Sequence, residues 1–290
     1  MDVSMTLPTM LPHGRHELVA WCRGVDAGPW ASLAVPERIT YTSHALVVQL
    51  AAAAALTERV RLWTTISILP AHDAVDVAKQ MASVDRLCGG RLTLGVGVGG
   101  REHDYRALGA PFERRWQRLD EQVARMRSIW AGHPPFTGAD PVGPPPVQDG
   151  GPPLVSGAWG PRALARAARW AAGVSGFTFD ADEAALRSGF AAVGAAWQQA
   201  GRDDRPHLST SIWFALGEGA EARLRAYASD YLHVLGDGIA RYAADTVTCW
   251  SAEALRRAVG AAEAAGADEV FLVPTTADPA DLDRAATVLG

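Results

Sequence analysis

The feature of this sequence that most limits its fold is a regular alternation of strand-type and helix-type segments. Strand-forming runs occur at Val3 to Leu7, Ala31 to Val35, Val60 to Leu69, Arg91 to Val98, Pro153 to Gly157, Val174 to Thr178, His207 to Leu216 and Asp268 to Val273. Helical stretches fill the intervals at Glu17 to Val25, Ser43 to Thr57, Asp73 to Leu87, Glu113 to Trp130, Pro161 to Trp170, Ala181 to Gln199, Glu218 to Leu235 and Ala252 to Ala265, and Ala280 to Leu289 closes the chain. No two strands are joined by a two-residue turn, so hairpin pairing is not written in the chain. Eight βα units in 290 residues predict an α/β protein of the (β/α)8 TIM-barrel class rather than a doubly wound sheet.

Local signals agree with that reading. Ser43, Asp73 and Ser251 stand where helix N-caps are needed, and Pro161 falls in a first helical turn. One stretch breaks the rhythm: Ala131 to Pro153 crowds eight prolines, Pro134, Pro135, Pro141, Pro144, Pro145, Pro146, Pro152 and Pro153. It predicts a Pro/Gly-rich excursion between units four and five, either a surface linker or a lid over the barrel mouth. A cut at this excursion would leave two halves unable to close a barrel, so residues 1–290 read as a single domain.

Composition excludes several partners. The 27 Lys+Arg against 32 Asp+Glu give a net charge of −5, and no basic stretch accumulates, so neither a nucleic-acid backbone nor an anionic membrane surface is expected to bind. The chain has a single lysine, Lys79, and no asparagine, a compositional bias that weakens alanine tracts as helix evidence. Cys22, Cys88 and Cys249 are far apart and lack CxxC spacing, which writes neither a disulfide framework nor a zinc knuckle and suits a reducing cytoplasm. Asp2 stands where a signal peptide would want positive charge, and the longest apolar run, Ala45 to Leu56, is interrupted by Gln49 and too short for a bilayer.

Two glycine clusters draw the chemistry. Gly95-Val96-Gly97-Val98-Gly99-Gly100 contains GxGxxG after a strand, but Arg101 to Phe112 reads as a loop where a dinucleotide-binding helix should start, and Asp120 falls inside a helix. A strand end with backbone approaching a ligand is the better reading, beside tight barrel packing and a Rossmann NAD(P) dehydrogenase as alternatives. Ser156-Gly157-Ala158-Trp159-Gly160-Pro161 ends the fifth strand and opens a helix, leaving backbone N–H groups free for a phosphate. In a barrel both clusters would lie side by side on the C-terminal rim and favour a phosphate-bearing cofactor. Among the carboxylates, Glu37 ends the second strand, where burial could raise its pKa for acid–base work, or an arginine such as Arg38 could pair with it. His72 follows the third strand and could reach a ligand or face solvent. Arg101, Glu102, His103, Asp104 and Tyr105 point in different directions from one short segment, so a polar turn is favoured over a metal site. No GxSxG, Cys–His pair or P-loop is present.

Thr64-Thr65-Ile66-Ser67-Ile68-Leu69-Pro70, then Ala78-Lys79-Gln80, then Ser83-Val84-Asp85-Arg86-Leu87-Cys88-Gly89-Gly90-Arg91-Leu92 and Gly95-Val96-Gly97-Val98-Gly99 resemble the bacterial luciferase-like flavin oxidoreductases, TIM barrels that use FMN or the deazaflavin coenzyme F420. The resemblance is dense from Leu50 to Trp130, continues from Val155 to Phe177 and weakens after Ala200. It implies a non-prolyl cis peptide at Ser67–Ile68 behind the cofactor ring. Gly97, Val98 and Gly99, with Arg101 and Tyr105, would then flank the ribityl side, and Gly157, Ala158, Gly160 and Pro161 would hold the phosphate. Many deazaflavin members carry an Asp-His pair at the end of the second strand where this chain has Pro36-Glu37-Arg38.

The reading is therefore an oxidoreductase with Glu37 and His72 as catalytic candidates and no metal. Its cofactor would be coenzyme F420, transferring hydride to or from a small organic substrate, with an FMN-dependent, O2-using monooxygenase as the alternative and a non-catalytic flavin-binding protein as a further one. Trp30, Trp159 and Trp213 fall near strand ends; if they converge at the mouth, the substrate is apolar or aromatic. A homo-oligomer is left open.

Overall fold

The computed structural model describes all 290 residues. Eight parallel strands, β1 (Asp2–Thr6), β2 (Ser32–Val35), β3 (Arg61–Ser67), β4 (Leu92–Val96), β5 (Leu154–Ser156), β6 (Gly173–Thr178), β7 (His207–Phe214) and β8 (Glu269–Pro274), pair in sequence order, and β8 returns to β1 to close the barrel. Outside them lie α1 (Arg15–Ala27), α2 (Leu46–Leu56), α3 (Ala74–Leu87), α4 (Glu102–Ala107), α5 (Arg115–Trp130), α6 (Pro161–Ala167), α7 (Glu183–Gln199), α8 (Ala220–Leu232), α9 (Asp237–Thr246), α10 (Ala252–Ala265) and α11 (Ala280–Leu289). The closed barrel is the fold expected from the alternation, and it removes the Rossmann alternative, which needs an open sheet.

Alternate residues of each strand point to opposite faces. The outward ones, including Met5, Leu33, Leu62, Leu94, Ile212 and Leu272, join the helices in a core of 56 buried residues, where fully burying one such side chain is worth about 1.5–3 kcal/mol. The inward ones fill the barrel: Ala34, Trp63, Val155 and Phe271 form its middle layer. Small polar residues occupy much of the rest. Nearer the N-terminal end the Ser4 hydroxyl donates to the buried Glu269 carboxylate, and Arg61 Nη2 donates to Thr93 Oγ1 at 2.7 Å.

The differences from expectation have local causes. The stretch read as one helix from Glu218 to Leu235 is α8 followed by a 3-10 turn, and Gly236, at φ +107°, separates that turn from a further helix, α9, that the sequence reading does not anticipate. Residues Glu102 to Ala107, expected as a loop, form the short α4. Asp73 and Ser251 cap their helices as anticipated. Ser43 does not: α2 starts after Ala45, and the Ser43 hydroxyl donates instead to the Arg38 carbonyl.

The excursion Ala131 to Pro153 lies away from the mouth. It connects the C-terminus of α5 to the start of β5, and both ends belong to the N-terminal face of the barrel. It is strapped to α3 by the buried Asp85 carboxylate, which accepts from the N–H groups of Val147 and Gln148 and from Gln148 Nε2 at 2.8–3.1 Å. Lys79 Nζ adds a bond to the Gly143 carbonyl. The linker reading fits this course and the lid reading does not.

Candidate active site at the barrel mouth

The third strand organises the mouth. Thr64 pairs with Leu94 and Ser67 with Val96, so three steps on β3 oppose two on β4, a bulge with Thr65 and Ile66 out of register. The non-prolyl cis bond lies there, between Thr65 and Ile66, and not at Ser67–Ile68 as expected. Ser67 is already back on the ladder, so the irregular peptide falls in the unpaired residues before it. Thr65 and Ile66 line the mouth cavity, whereas Ser67 and Ile68 are engaged behind it.

The glycines are dictated by this bulge. A Cβ on Gly95 would stand 2.1 Å from the Thr64 carbonyl oxygen, one on Gly97 2.1 Å from Ile66 Cδ1, and one on Gly157 3.0 Å from the same atom. The GxGxxG signal is thus a trough cleared for β3. Val98 is buried in the core, Gly99 has φ +60°, and Tyr105 donates its hydroxyl to the Val98 carbonyl. Burial pushes the Tyr105 phenol up to about 12, and its ring packs against Phe112, so Tyr105 anchors the loop from within.

The fifth-strand turn has a different character. Gly160 takes φ +76° with open space where a Cβ would be, and Pro161 is the first residue of α6. No acceptor within the chain takes the N–H groups of Ala158, Trp159 or Gly160. These residues edge an elongated, largely apolar cavity of about 560 Å³ that runs between α6 and α7.

Glu37 is placed behind the exit of β3. Its side chain is 6% exposed; Oε2 accepts from the Ile68 N–H at 2.6 Å and from Ser67 Oγ at 3.2 Å, while Oε1 meets His72 Nε2 at 3.0 Å. Burial, the largest single influence on His72, lowers its pKa, but the hydrogen bond and charge of Glu37 together outweigh it and hold His72 above its ordinary value. Neither residue forms part of the cavity wall. The arginine pairing considered for Glu37 does not form. Arg38 turns instead to Tyr231, and Arg101, after β4, donates to the Thr40 carbonyl.

The mouth cavity itself, about 230 Å³, gathers the C-terminal ends of seven strands. Its hydroxyls are Thr6, Thr65, Ser175, Ser211, Tyr227 and Tyr231, and Thr6 Oγ1 is buried without a partner. One wall is aromatic: Trp213 touches Phe177 (4.6 Å between ring centroids), Phe179 (5.6 Å), Tyr227 (5.4 Å) and Tyr231 (5.2 Å). Trp213 and the exposed Trp159 reach this mouth, whereas Trp30, which precedes β2, is buried in the core. The long cavity meets the mouth at Trp159, Gly176 and Phe177, which line both. Sequence reasoning passed over Phe177, Phe179, Tyr227 and Tyr231. The period-two spacing of the first pair on β6 and beyond, and the i, i+4 spacing of the second on α8, were the available signals.

Known structures share the barrel fold. The family model for luciferase-like monooxygenases matches residues 3–290. An uncharacterized protein of Mycobacterium tuberculosis is 39% identical over 83 residues, 29% of this chain and 29% of the relative's length. Among solved structures, an F420-dependent secondary alcohol dehydrogenase in complex with an F420–acetone adduct superposes with a TM-score of 0.81 at 18% identity, covering 99% of this chain and 98% of that one. The oxygenating constituent of 3,6-diketocamphane monooxygenase from Pseudomonas putida, in complex with FMN, gives 0.73 at 13% identity, covering 100% and 96%.

Proposed function

The chain belongs to the luciferase-like monooxygenase family, and from that premise we propose that it is a coenzyme F420-dependent oxidoreductase acting on a small apolar or aromatic organic substrate. The observation that carries the reading is the mouth: a hollow aromatic wall beside the β3 bulge, next to a turn whose amides have no acceptor in the chain. These residues fit a flavin-class group. Gly157, Ala158, Gly160 and Pro161 would hold its phosphate side, Thr65 and Ile66 would back its ring, and Gly95 and Gly97 admit the bulge. When bound, the group supplies the hydride chemistry. The lean toward F420 comes from the dehydrogenase neighbour.

The chain's own part is positioning and dryness. Phe177, Phe179, Trp213 and Tyr231 enclose an apolar substrate and exclude water. Thr6, Ser175 and Ser211 offer hydroxyls to a substrate oxygen. Glu37 and His72 act from behind the wall: Glu37 holds the Ile68 amide and the His72 ring, and so fixes the exit of β3 against which the ring would rest. Fluorescence titration of the whole chain with F420, FMN and NADPH tests the reading. Preferential F420 binding supports it. Preferential FMN binding moves the protein to the oxygen-using branch, and binding of neither flavin defeats the proposal.

A further inference from the structure

Two arginines from different loops meet beside the mouth with more donors than acceptors. Arg38 is 8% exposed; its guanidinium lies 3.6 Å from the centroid of the Tyr231 ring and 4.8 Å from that of Tyr41, and Nη2 donates to the Tyr231 carbonyl at 2.5 Å. Arg101 Nη2 donates to the Thr40 carbonyl at 3.2 Å, and its Nε stands 4.0 Å from Asp104 Oδ2, too far for a hydrogen bond. Asp104 Oδ1 is taken by the Thr40 N–H at 2.8 Å and the Thr40 hydroxyl at 2.6 Å. Arg38 Nη1, Arg101 Nε and Arg101 Nη1 are left buried without a hydrogen-bonded acceptor, against one unpartnered acceptor oxygen, Asp104 Oδ2.

Neither of the two nearby carboxylates hydrogen-bonds a guanidinium. Asp104 is the carboxylate paired with Arg101, and the exposed Asp230 is bonded to the Tyr41 hydroxyl at 3.0 Å. Burial first, and then the neighbouring Arg38 charge, lower the pKa of Arg101. Buried charged donors left unpaired are unfavourable, and two like charges in one low-dielectric pocket add to that. A single group with two or three acceptor oxygens would satisfy all three nitrogens and offset the repulsion, in the geometry for which guanidinium groups are suited.

We propose that Arg38 and Arg101 together form an oxyanion subsite at the edge of the mouth, taking a carboxylate, sulfonate or phosphate. Tyr231 connects it to the cavity: its ring lines the mouth and carries the Arg38 guanidinium on its face. The anion is an acid group of the substrate or a phosphate of the cofactor, and for FMN, which has one phosphate, the second outcome replaces the Gly157–Pro161 turn as its holder. Only that choice of source rests on the function proposed above; the subsite itself does not.

The test uses the full chain and inorganic phosphate, with melting temperature read against chloride at equal ionic strength. Wild type is expected to gain stability in phosphate beyond chloride. Arg101→Gln should lose at least tenfold in apparent phosphate affinity, while Arg106→Gln, which removes an exposed arginine of α4, should not. Arg38→Gln removes buried packing, so Arg38→Lys, which keeps a charge but loses the fork, serves as its folded counterpart and should also weaken phosphate. No phosphate-specific rise in wild type, or an Arg101→Gln response equal to wild type, overturns the subsite. FMN and riboflavin, which differ by the phosphate, then separate the sources. Arg101→Gln weakening FMN alone assigns the cofactor phosphate, and weakening of benzoate with FMN unchanged assigns the substrate. Phosphate binding with neither flavin bound would retain the subsite and defeat the cofactor reading.

Discussion

The two halves of the barrel rim are built on opposite principles. The β2–β4 half is largely filled: Glu37 and Asp104 are tied into loops by side-chain hydrogen bonds, Arg38 and Arg101 are each bonded to a loop carbonyl but keep the unpaired nitrogens of the proposed anion subsite, and the trough of Gly95 and Gly97 is occupied by β3 itself. The β5–β7 half is hollow, with aromatic rings around the mouth and a long apolar cavity leading out between α6 and α7. The difference separates support from enclosure. One half sets the shape of the wall, and the other leaves the space an apolar ligand needs.

The comparison can be broken most strongly at its apolar half. Trp213→Ala removes the ring on which four other aromatics converge, and buried Trp to Ala changes cost about 3–5 kcal/mol. Urea unfolding should show a loss of that order; a change below about 1 kcal/mol, far under that range, would mean the wall is already loose. Gly157→Asp probes the boundary between the halves. Its Cβ would press on Ile66, and its charge would repel a phosphate, so affinity for either flavin should fall at least tenfold, about 1.4 kcal/mol. Unchanged affinity would remove this turn from the site.

The filled half is sharpened by Glu37→Gln. His72 has a raised folded pKa, so the stability it contributes is complete below its ordinary value of 6.5 and is lost as pH rises through the raised one. Glu37→Gln should flatten that stretch of the stability-versus-pH curve relative to wild type. It should also lower cofactor affinity and turnover together, because the carboxylate acts through the β3 exit. A fall in turnover alone would instead assign Glu37 acid–base chemistry.

Much of the fold was legible because its causes are local. All eight strands lie within about three residues of the segments read from strand-forming runs, and Asp73 and Ser251 cap their helices with neighbouring amides. Within the segment that carried the family resemblance most densely, the stretch Ser83 to Leu92 works at the N-terminal face. There Asp85 holds the Pro-rich excursion, and Arg91 binds the carbonyls of Thr57, Val60 and Cys88. That part of the signature therefore marks the fold, whereas its Thr64 to Pro70 and Gly95 to Gly99 parts shape the mouth.

The sequence by itself determined the number and order of the βα units, since periodicity and capping are properties of a few neighbouring residues. Tertiary structure alone decided where the cis bond falls along the third strand, which is set by register against β4. It also decided that Glu37 meets His72 and that Arg38 lies near enough to Arg101 for its charge to be felt there. Those contacts join loops that follow different strands, and closing the barrel is what brings them within reach of one another.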